Sequence, residues 1–383
     1  MAPGSGLSTA APAECARCVL RVEDDPGLDV DSAGVCRFCR HYDAHIRRVP
    51  GDGELERVAA DIRRAGRGRA YDCVVGVSGG VDSSWTLVLA RRHGLRTLAV
   101  HLDNGWNSEL AVGNIERLVK RTGADLHTHV IAWDEFRDLQ RAYLAASVVD
   151  VEAITDHAIL ALLYRTAARR GIRRVVTGAN LATEGFLPPA WVHSKIDLTN
   201  IRAIHRAHGT LPLRTFPTMG VLRQLWYRRV RGIREVALLD HVRYVRADAQ
   251  RTLAGEMGWR DYGGKHHESV FTRFFQTEIL PRKFGIDKRR SHLSTLICAG
   301  QMTREEALEA LRRRPGDPQQ RAVDRAFVLK KLGFDEAAFE AYLAAPPRPH
   351  LAYASHLRLF AALRPLVHRW RRLRDAWRTG RTA

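Results

Sequence analysis

Between residues 71 and 177 short apolar runs alternate with helical stretches, and this alternation constrains the fold more than any other feature of the chain. Strands are read at Asp72–Val77, a short apolar run, and at Arg96–Leu102, Asp125–Ile131 and Arg174–Thr177. Runs that are apolar on both faces belong to a parallel sheet covered by helices on each side. The helical stretches lie at 82–92, 107–122, 134–146 and 155–170. This pattern predicts an α/β doubly wound parallel sheet. Ligands on such sheets sit at the carboxyl ends of the strands, here Ser78, Asp103 and Gly178.

One loop at those ends has its own chemistry. Ser78-Gly79-Gly80-Val81-Asp82-Ser83-Ser84 joins the first strand to the first helix. Two glycines let the backbone wrap an anion, and the following helix start adds partial positive charge. Ser78, Ser83 and Ser84 offer hydroxyl donors to phosphate. Asp82 would repel a bare phosphate, so it suits a Mg²⁺ ion that bridges phosphates. The plainer alternative is a Gly-Gly turn followed by an ordinary helix cap. The strand–loop–helix setting favours phosphate.

Upstream, Cys15, Cys18, Cys36 and Cys39 form two CxxC pairs separated by 17 residues. Paired knuckles at this spacing predict a closed four-thiolate zinc site, structural rather than catalytic. Of the other two cysteines, Cys73 lies inside an apolar strand and Cys298 in a helical stretch.

The formal charge is +19, from 61 basic and 42 acidic residues. Such a surplus suits a polyanionic partner: nucleic acid, an anionic membrane or a phosphorylated substrate. No run of 18 apolar residues occurs and the first residues lack a secretory pattern, so the expected location is cytoplasmic.

The organisation expected is a zinc-ribbon module at 13–45, a nucleotide-binding domain at 68–205, a mostly helical region at 206–345 and a basic amphipathic helix at 351–378. Residues 1–12 read as disordered. Residues 303–343 read as two helices, the first opened by a Thr303/Glu306 capping box and the second followed by the Pro-rich break at 345–349. In the last segment Arg alternates with an apolar stripe that includes Trp370 and Trp377. It suits an anionic bilayer, an acidic partner surface, or packing on the protein itself.

The S-G-G-x-D-S loop resembles the pyrophosphate loop of the PP-loop ATPases, which implies cleavage of ATP between the α- and β-phosphates. Further motifs occur in order: Asp103-Asn104-Gly105-Trp106-Asn107, Thr183-Glu184-Gly185 with Pro189-Ala190-Trp191, the run Asp261 to Ser269, and the run Lys283 to Ser294. With the cysteine pairs, these resemble the N-acetyl sugar amidotransferases of bacterial surface-polysaccharide and flagellar-glycan synthesis. The resemblance runs from about Cys15 to Leu311. It implies conversion of a sugar's acetamido group to an acetamidino group, with ammonia delivered by a separate glutaminase through a cyclase-like channel. The acceptor implied is an N-acetylated sugar nucleotide. The family usually has Lys where this chain has Val81.

On this reading Asp82, Glu184, Lys265 and His266 carry the chemistry. Ser78, Gly79, Gly80, Val81, Asp82, Ser83, Ser84, Asp103, Asn104 and Gly178 bind ATP and Mg²⁺. Lys265, Lys283 and Lys288 fall close together in a chain that has only seven lysines, either for compact charge or by chance. His266 and His267, if in a strand, face opposite sides, which favours hydrogen bonding or acid–base work over a metal. The competing reading is a PP-loop tRNA-modifying enzyme, which would use the positive charge on RNA. Against it stands the lack of further paired cysteines near the loop, so nucleic acid is the less favoured partner.

Overall fold

The computed structural model describes residues 14–358 other than Pro26 and Arg48, together with Ala361. The expectations for residues 1–12 and for most of the basic helix at 351–378 lie outside the described residues.

The cysteine pairs open the chain as a small module. It holds isolated antiparallel bridges Glu14–Arg21 and Val30–Cys36, and the short helix α1 (Arg37–His41). Helix α2 (Glu54–Ala65) leads into β1 (Cys73–Gly76), α3 (Val81–Arg92), β2 (Thr97–Asp103) and α4 (Glu109–Thr122). Then come β3 (Asp125–Val130), α5 (Trp133–Ala145), α6 (Ala153–Arg169) and β4 (Arg174–Thr177). All four expected strands are present.

A fifth strand was not expected. After α7 (Leu181–Glu184), α8 (Leu198–His208) and α9 (Val221–Arg229), β5 (Arg234–Ala237) pairs in parallel with β4. The sheet therefore continues past residue 205 into the stretch read as helical. Its order is β3-β2-β1-β4-β5, all pairs parallel.

That order creates the site. The chain steps outward from β1 through β2 to β3, then crosses to the other side of β1 for β4. The reversal opens a crevice at the carboxyl ends of β1 and β4. Side-chain alternation along β1 divides two cores. Val74 packs with α5 and α6, whereas Cys73 and Val75 pack with α3 and α4. Cys73 is thus core, and burial pushes its thiol pKa up.

The remainder is helical: α10 (Arg246–Met257), α11 (Val270–Phe274), α12 (Leu280–Phe284), α13 (Arg289–Cys298), α14 (Arg304–Arg312), α15 (Pro318–Leu332) and α16 (Glu336–Ala344). The Thr303/Glu306 capping box is formed. Three helices, not two, fill 303–343, because Pro315-Gly316-Asp317-Pro318 breaks the middle and Asp317 caps α15. Of the expected terminal helix, its described beginning is a 3₁₀ turn at His350–Ala352 followed by helical residues from His356.

Candidate active site

Gly79 makes the first turn of the phosphate loop at φ +82°, a conformation glycine adopts at little cost. A Cβ there would lie 2.5 Å from the Ala111 carbonyl oxygen. Gly79→Ala is therefore expected to lower stability by about 2 kcal/mol or more and to abolish ATP binding. Melting midpoints and nucleotide titration check this, and a variant that binds ATP normally would contradict it. Gly178 allows β4 to approach the start of α3; a Cβ on it would sit 2.8 Å from the Ser83 nitrogen.

Within the loop, the Ser83 hydroxyl accepts from the Ser78 N–H at 3.2 Å and lies 3.1 Å from the Ser78 hydroxyl. Ser84 is wholly buried, and its hydroxyl has no hydrogen-bond partner among the described residues. Val81 is buried, and its N–H donates to the Tyr262 hydroxyl at 3.1 Å. Asp103 and Asn104 shape the turn after β2. Asp103 accepts from the Gly105 N–H at 2.9 Å and Asn104 from the Trp106 N–H at 3.1 Å.

Lys265 is the hub. Its side chain is only 8% exposed. The ammonium donates to Thr183 Oγ1 at 2.7 Å and lies 3.3 Å from Asp82 Oδ2 and 3.1 Å from Glu184 Oε1. Three of the four residues assigned to the chemistry thus meet at one cation, drawn from α3, α7 and the segment before α11. His266 joins them, 3.7 Å from Glu184. It is not in a strand: its φ is +62°, an uncommon state for a non-glycine residue and one the surroundings must hold.

The charges respond to these neighbours. Burial would raise the Asp82 pKa, but Lys265 and the hydrogen bond from Tyr244 outweigh it and hold the carboxylate low. Burial raises Glu184, and Asp82 adds to it. Burial and then Lys265 lower His266 to about 3, although its ring still reaches solvent. Burial also depresses His267, to about 4, and His292 well below the ordinary range. These imidazoles are neutral at pH 7, and the His266 and His292 rings lie 5.6 Å apart.

Three contributors had no role assigned from the sequence, although Tyr262 stood in the Asp261–Ser269 motif. Tyr244 donates to Asp82, Trp259 donates to the Gly79 carbonyl at 2.9 Å, and Tyr262 holds Val81. A fourth, Glu268, stood within a noted motif without an assigned role. Its Oε1 accepts from the Ser78 hydroxyl at 3.2 Å, while its Oε2 is buried without a partner. A carboxylate oxygen left bare beside a phosphate loop fits a bridging divalent cation.

The lysine cluster divides. Lys283 is buried and donates to the Tyr342 and Ala345 carbonyls at the end of α16, a structural role. Lys288 faces the cleft 5.7 Å from the Trp191 ring centre, with no carboxylate in ion-pair range among the described residues. Beyond it, Lys195 bridges Asp150 at 2.7 Å and Asp156 at 3.1 Å. Glu152 accepts from the Thr272 hydroxyl. Thr272 lies one turn along from Glu268, so this second compartment adjoins the phosphate loop.

The four paired cysteines converge as expected. Their sulfurs all lie within 4.8 Å of one another, with Cys15–Cys39 at 3.9 Å and Cys18–Cys36 at 3.8 Å. A tetrahedron of thiolates about 2.3 Å from a zinc ion has edges of about 3.8 Å, so the cluster fits that metal.

Residues 71–186 match the family model for asparagine synthase, and residues 268–364 match the one described as LPS biosynthesis protein WbpG-like, C-terminal domain. These two matches support a family of N-acetyl sugar amidotransferase type among the PP-loop ATPases. The chain is an ATP-utilising PP-loop amidotransferase or ligase. Among solved structures it is similar to an NH3-dependent NAD synthetase from Campylobacter jejuni, at 17% identity, covering 40% of this chain and 71% of that one, with a TM-score of 0.29. It is also similar to NMN synthetase from Francisella tularensis, at 16% identity, covering 56% and 94%, with a TM-score of 0.28. None of the curated proteins compared with it matches.

Proposed function

We propose that this amidotransferase adenylates the acetamido oxygen of an N-acetyl sugar and replaces it with ammonia, giving an acetamidino sugar, AMP and pyrophosphate. The observation that carries the reading is the convergence of Asp82, Glu184 and Thr183 on Lys265 at the phosphate loop.

An amide carbonyl is a poor electrophile, and attaching AMP to its oxygen supplies a leaving group. The Gly79–Gly80 backbone and the Ser78 and Ser83 hydroxyls receive the phosphates. Asp82 and Glu268 would hold Mg²⁺, which when bound offsets charge on the departing pyrophosphate. Lys265 fixes Asp82 and Glu184 and adds positive charge where negative charge develops. His266, held neutral by burial and Lys265, is placed to hydrogen-bond the reacting groups rather than to store a proton. The compartment of Glu152, Lys195 and Lys288 receives the acceptor. The test is pyrophosphate release from ATP that depends on both ammonium and an N-acetylated sugar nucleotide; release of ADP and phosphate would overturn the reading.

The ammonia source follows from the cysteines. Glutamine hydrolysis needs a reachable nucleophilic thiol. All six cysteines are buried, four of them in the metal cluster. The isolated chain is expected to use ammonium and to leave glutamine intact until a glutaminase partner is added. Glutamate formation by the chain alone would contradict this.

Glu152 predicts a pH signature. Burial, with Asp156 adding to it, pushes its pKa up to about 8 despite the Thr272 hydrogen bond. The unfolded chain ionises this group from about pH 4.5, the folded chain only near 8. Its contribution to stability is therefore intact at low pH and is lost as pH rises across that window. Glu152→Gln, neutral throughout, should match wild type near pH 4 and melt higher than wild type at pH 8. Parallel melting curves across that range would refute the assignment.

A further inference from the structure

The outer face of α9 and the distal half of α6 carry charge and apolar surface that the cleft does not use. From Leu198 to Arg234 the chain has eight arginines and no aspartate or glutamate. Helix α9 is turned inside out. Tyr227 points inward and stacks on Tyr164 at 5.9 Å, while Leu222 and Val230 are 83% and 68% exposed. Leu225 and Trp226 are exposed beside them. The spacing 222, 225, 226, 230 is one helical stripe, and it faces water.

Arginines surround the stripe. Arg165 and Arg169 of α6, with Arg223, Trp226, Tyr227 and Arg231, line an open depression of about 520 Å³. The Arg231 guanidinium lies 5.6 Å from the Trp226 ring centre. Among the described residues, Arg165, Arg169, Arg223, Arg228 and Arg229 have no carboxylate in ion-pair range. The nearest acid is Glu235, close to Arg228 and Tyr164. Crowded cations without counter-charges, around protruding apolar side chains, call for an anionic surface that also accepts hydrocarbon.

We propose that α9 and the distal half of α6 dock on an anionic lipid bilayer. Leu222, Leu225, Trp226 and Val230 enter the boundary between headgroups and acyl chains, and Arg165, Arg169, Arg223 and Arg229 pair with lipid phosphates. Three of the four apolar groups are aliphatic and have no π-face for a base, which disfavours single-stranded RNA as the occupant. Apart from Glu235 at its margin the patch carries charge of one sign, which matches an anionic plane. The geometry leaves the enzyme free to work. Glu152, in the cleft, sits at the start of α6, and Arg165 lies about 20 Å further along the helix. This proposal does not rest on the reaction assigned above.

The experiment is co-sedimentation of the full chain with vesicles of phosphatidylcholine containing about one third phosphatidylglycerol, against vesicles of phosphatidylcholine alone. Wild type should partition onto the anionic vesicles only, and less so in 0.5 M salt. Leu222→Ser/Trp226→Ser and Arg223→Glu/Arg229→Glu should each reduce partitioning at least ten-fold. The first acts through lost apolar burial, the second through charge. Both variants should keep the wild-type melting midpoint and ammonium-dependent pyrophosphate release, which separates lost docking from lost folding. Wild type that stays in solution with both vesicle types overturns the proposal. So does undiminished binding by both variants, which would assign the membrane contact to the basic C-terminal segment. Tight binding of single-stranded RNA by wild type, lost in Arg223→Glu/Arg229→Glu and unmatched by vesicle binding, would make the patch an RNA surface instead.

Discussion

Lys265→Met is expected to reduce ATP-dependent turnover by two to three orders of magnitude, about the effect of removing one preorganised charge from a transition state. Lys265 is almost wholly enclosed, and its ammonium is shared by Asp82, Glu184 and Thr183. Methionine keeps the length of the side chain and removes the charge. Asp82 then loses the cation that opposes its burial, and Glu184 loses both the charge and the hydrogen bond with which Lys265 holds it down. Both carboxyl pKa values must rise. The acid limb of the pH–rate profile should therefore move to higher pH, as well as the plateau falling. A merely structural lysine would lower the amount of active enzyme without moving that limb. Breaking a buried pair on one side can cost about 3–5 kcal/mol of stability, but protonation of Glu184 offsets part of this. Lys265→Arg should not restore turnover, since a planar guanidinium does not fit a pocket built around a point donor. Retention of more than about a tenth of wild-type pyrophosphate release by Lys265→Met would remove the lysine from the mechanism.

Why this site was partly legible follows from what each residue touches. Ser78–Ser84 announces itself because Gly-Gly between an apolar run and a helix has few other uses. Asp82, Glu184, Lys265 and His266 belong to motifs, and the structure brings those motifs together. The burial of Ser84 was not legible, because the position of a hydroxyl in a loop does not reveal which side of the next helix it will take. Tyr244 left no local signal, and Tyr262 stood in a noted motif without a role. Their partners, Asp82 and Val81, lie more than 160 residues away, so only folding places them. Glu268 was visible as a residue but not as a bare oxygen, because an unmet hydrogen bond is a property of the packed state.

The same logic separates the strands. Three have the apolar runs that a parallel sheet requires, while β3, Asp125-Leu126-His127-Thr128-His129-Val130, alternates at the edge opposite β5. The fifth is Arg234-Glu235-Val236-Ala237, half polar and at the sheet edge, where one flank pairs with β4 and the other need not be apolar. Such a segment reads like the end of the arginine-rich helix before it. The break between α14 and α15 was missed, although Pro315-Gly316-Asp317-Pro318 carries turn and cap signals together. For His266 a strand was only a supposition, and the Gly263-Gly264 pair before it already favours a turn. Its positive φ arises from the turn that delivers Lys265 and Glu268 to opposite sides of the phosphate loop.

Cys15→Ser is expected to cost about 4 kcal/mol or more, the scale associated with loss of a bound metal, and to lower the melting midpoint by about 10 °C. The purified wild-type chain should contain about one zinc per molecule, and the variant much less. The cysteine module is welded to the helical region. Arg290 donates to the Val19 carbonyl at 2.6 Å and Arg304 to the Cys18 carbonyl at 3.2 Å. The Val19 N–H donates to Ser294 at 3.3 Å. On its other side, Phe38 and Tyr42 each lie 5.8 Å from the ring of Phe186, two residues beyond Glu184. Metal loss thus loosens the support of the active-site segment from a distance, and turnover per folded molecule should fall far less than stability. Cys15 is the informative position because Cys298 stands 3.6 Å from Cys39 and offers a replacement thiolate there. Cys39→Ser should therefore retain more zinc than Cys15→Ser, and Cys39→Ser/Cys298→Ser should lose that advantage. Equal zinc content in wild type and Cys15→Ser would show that the cluster does not hold the metal.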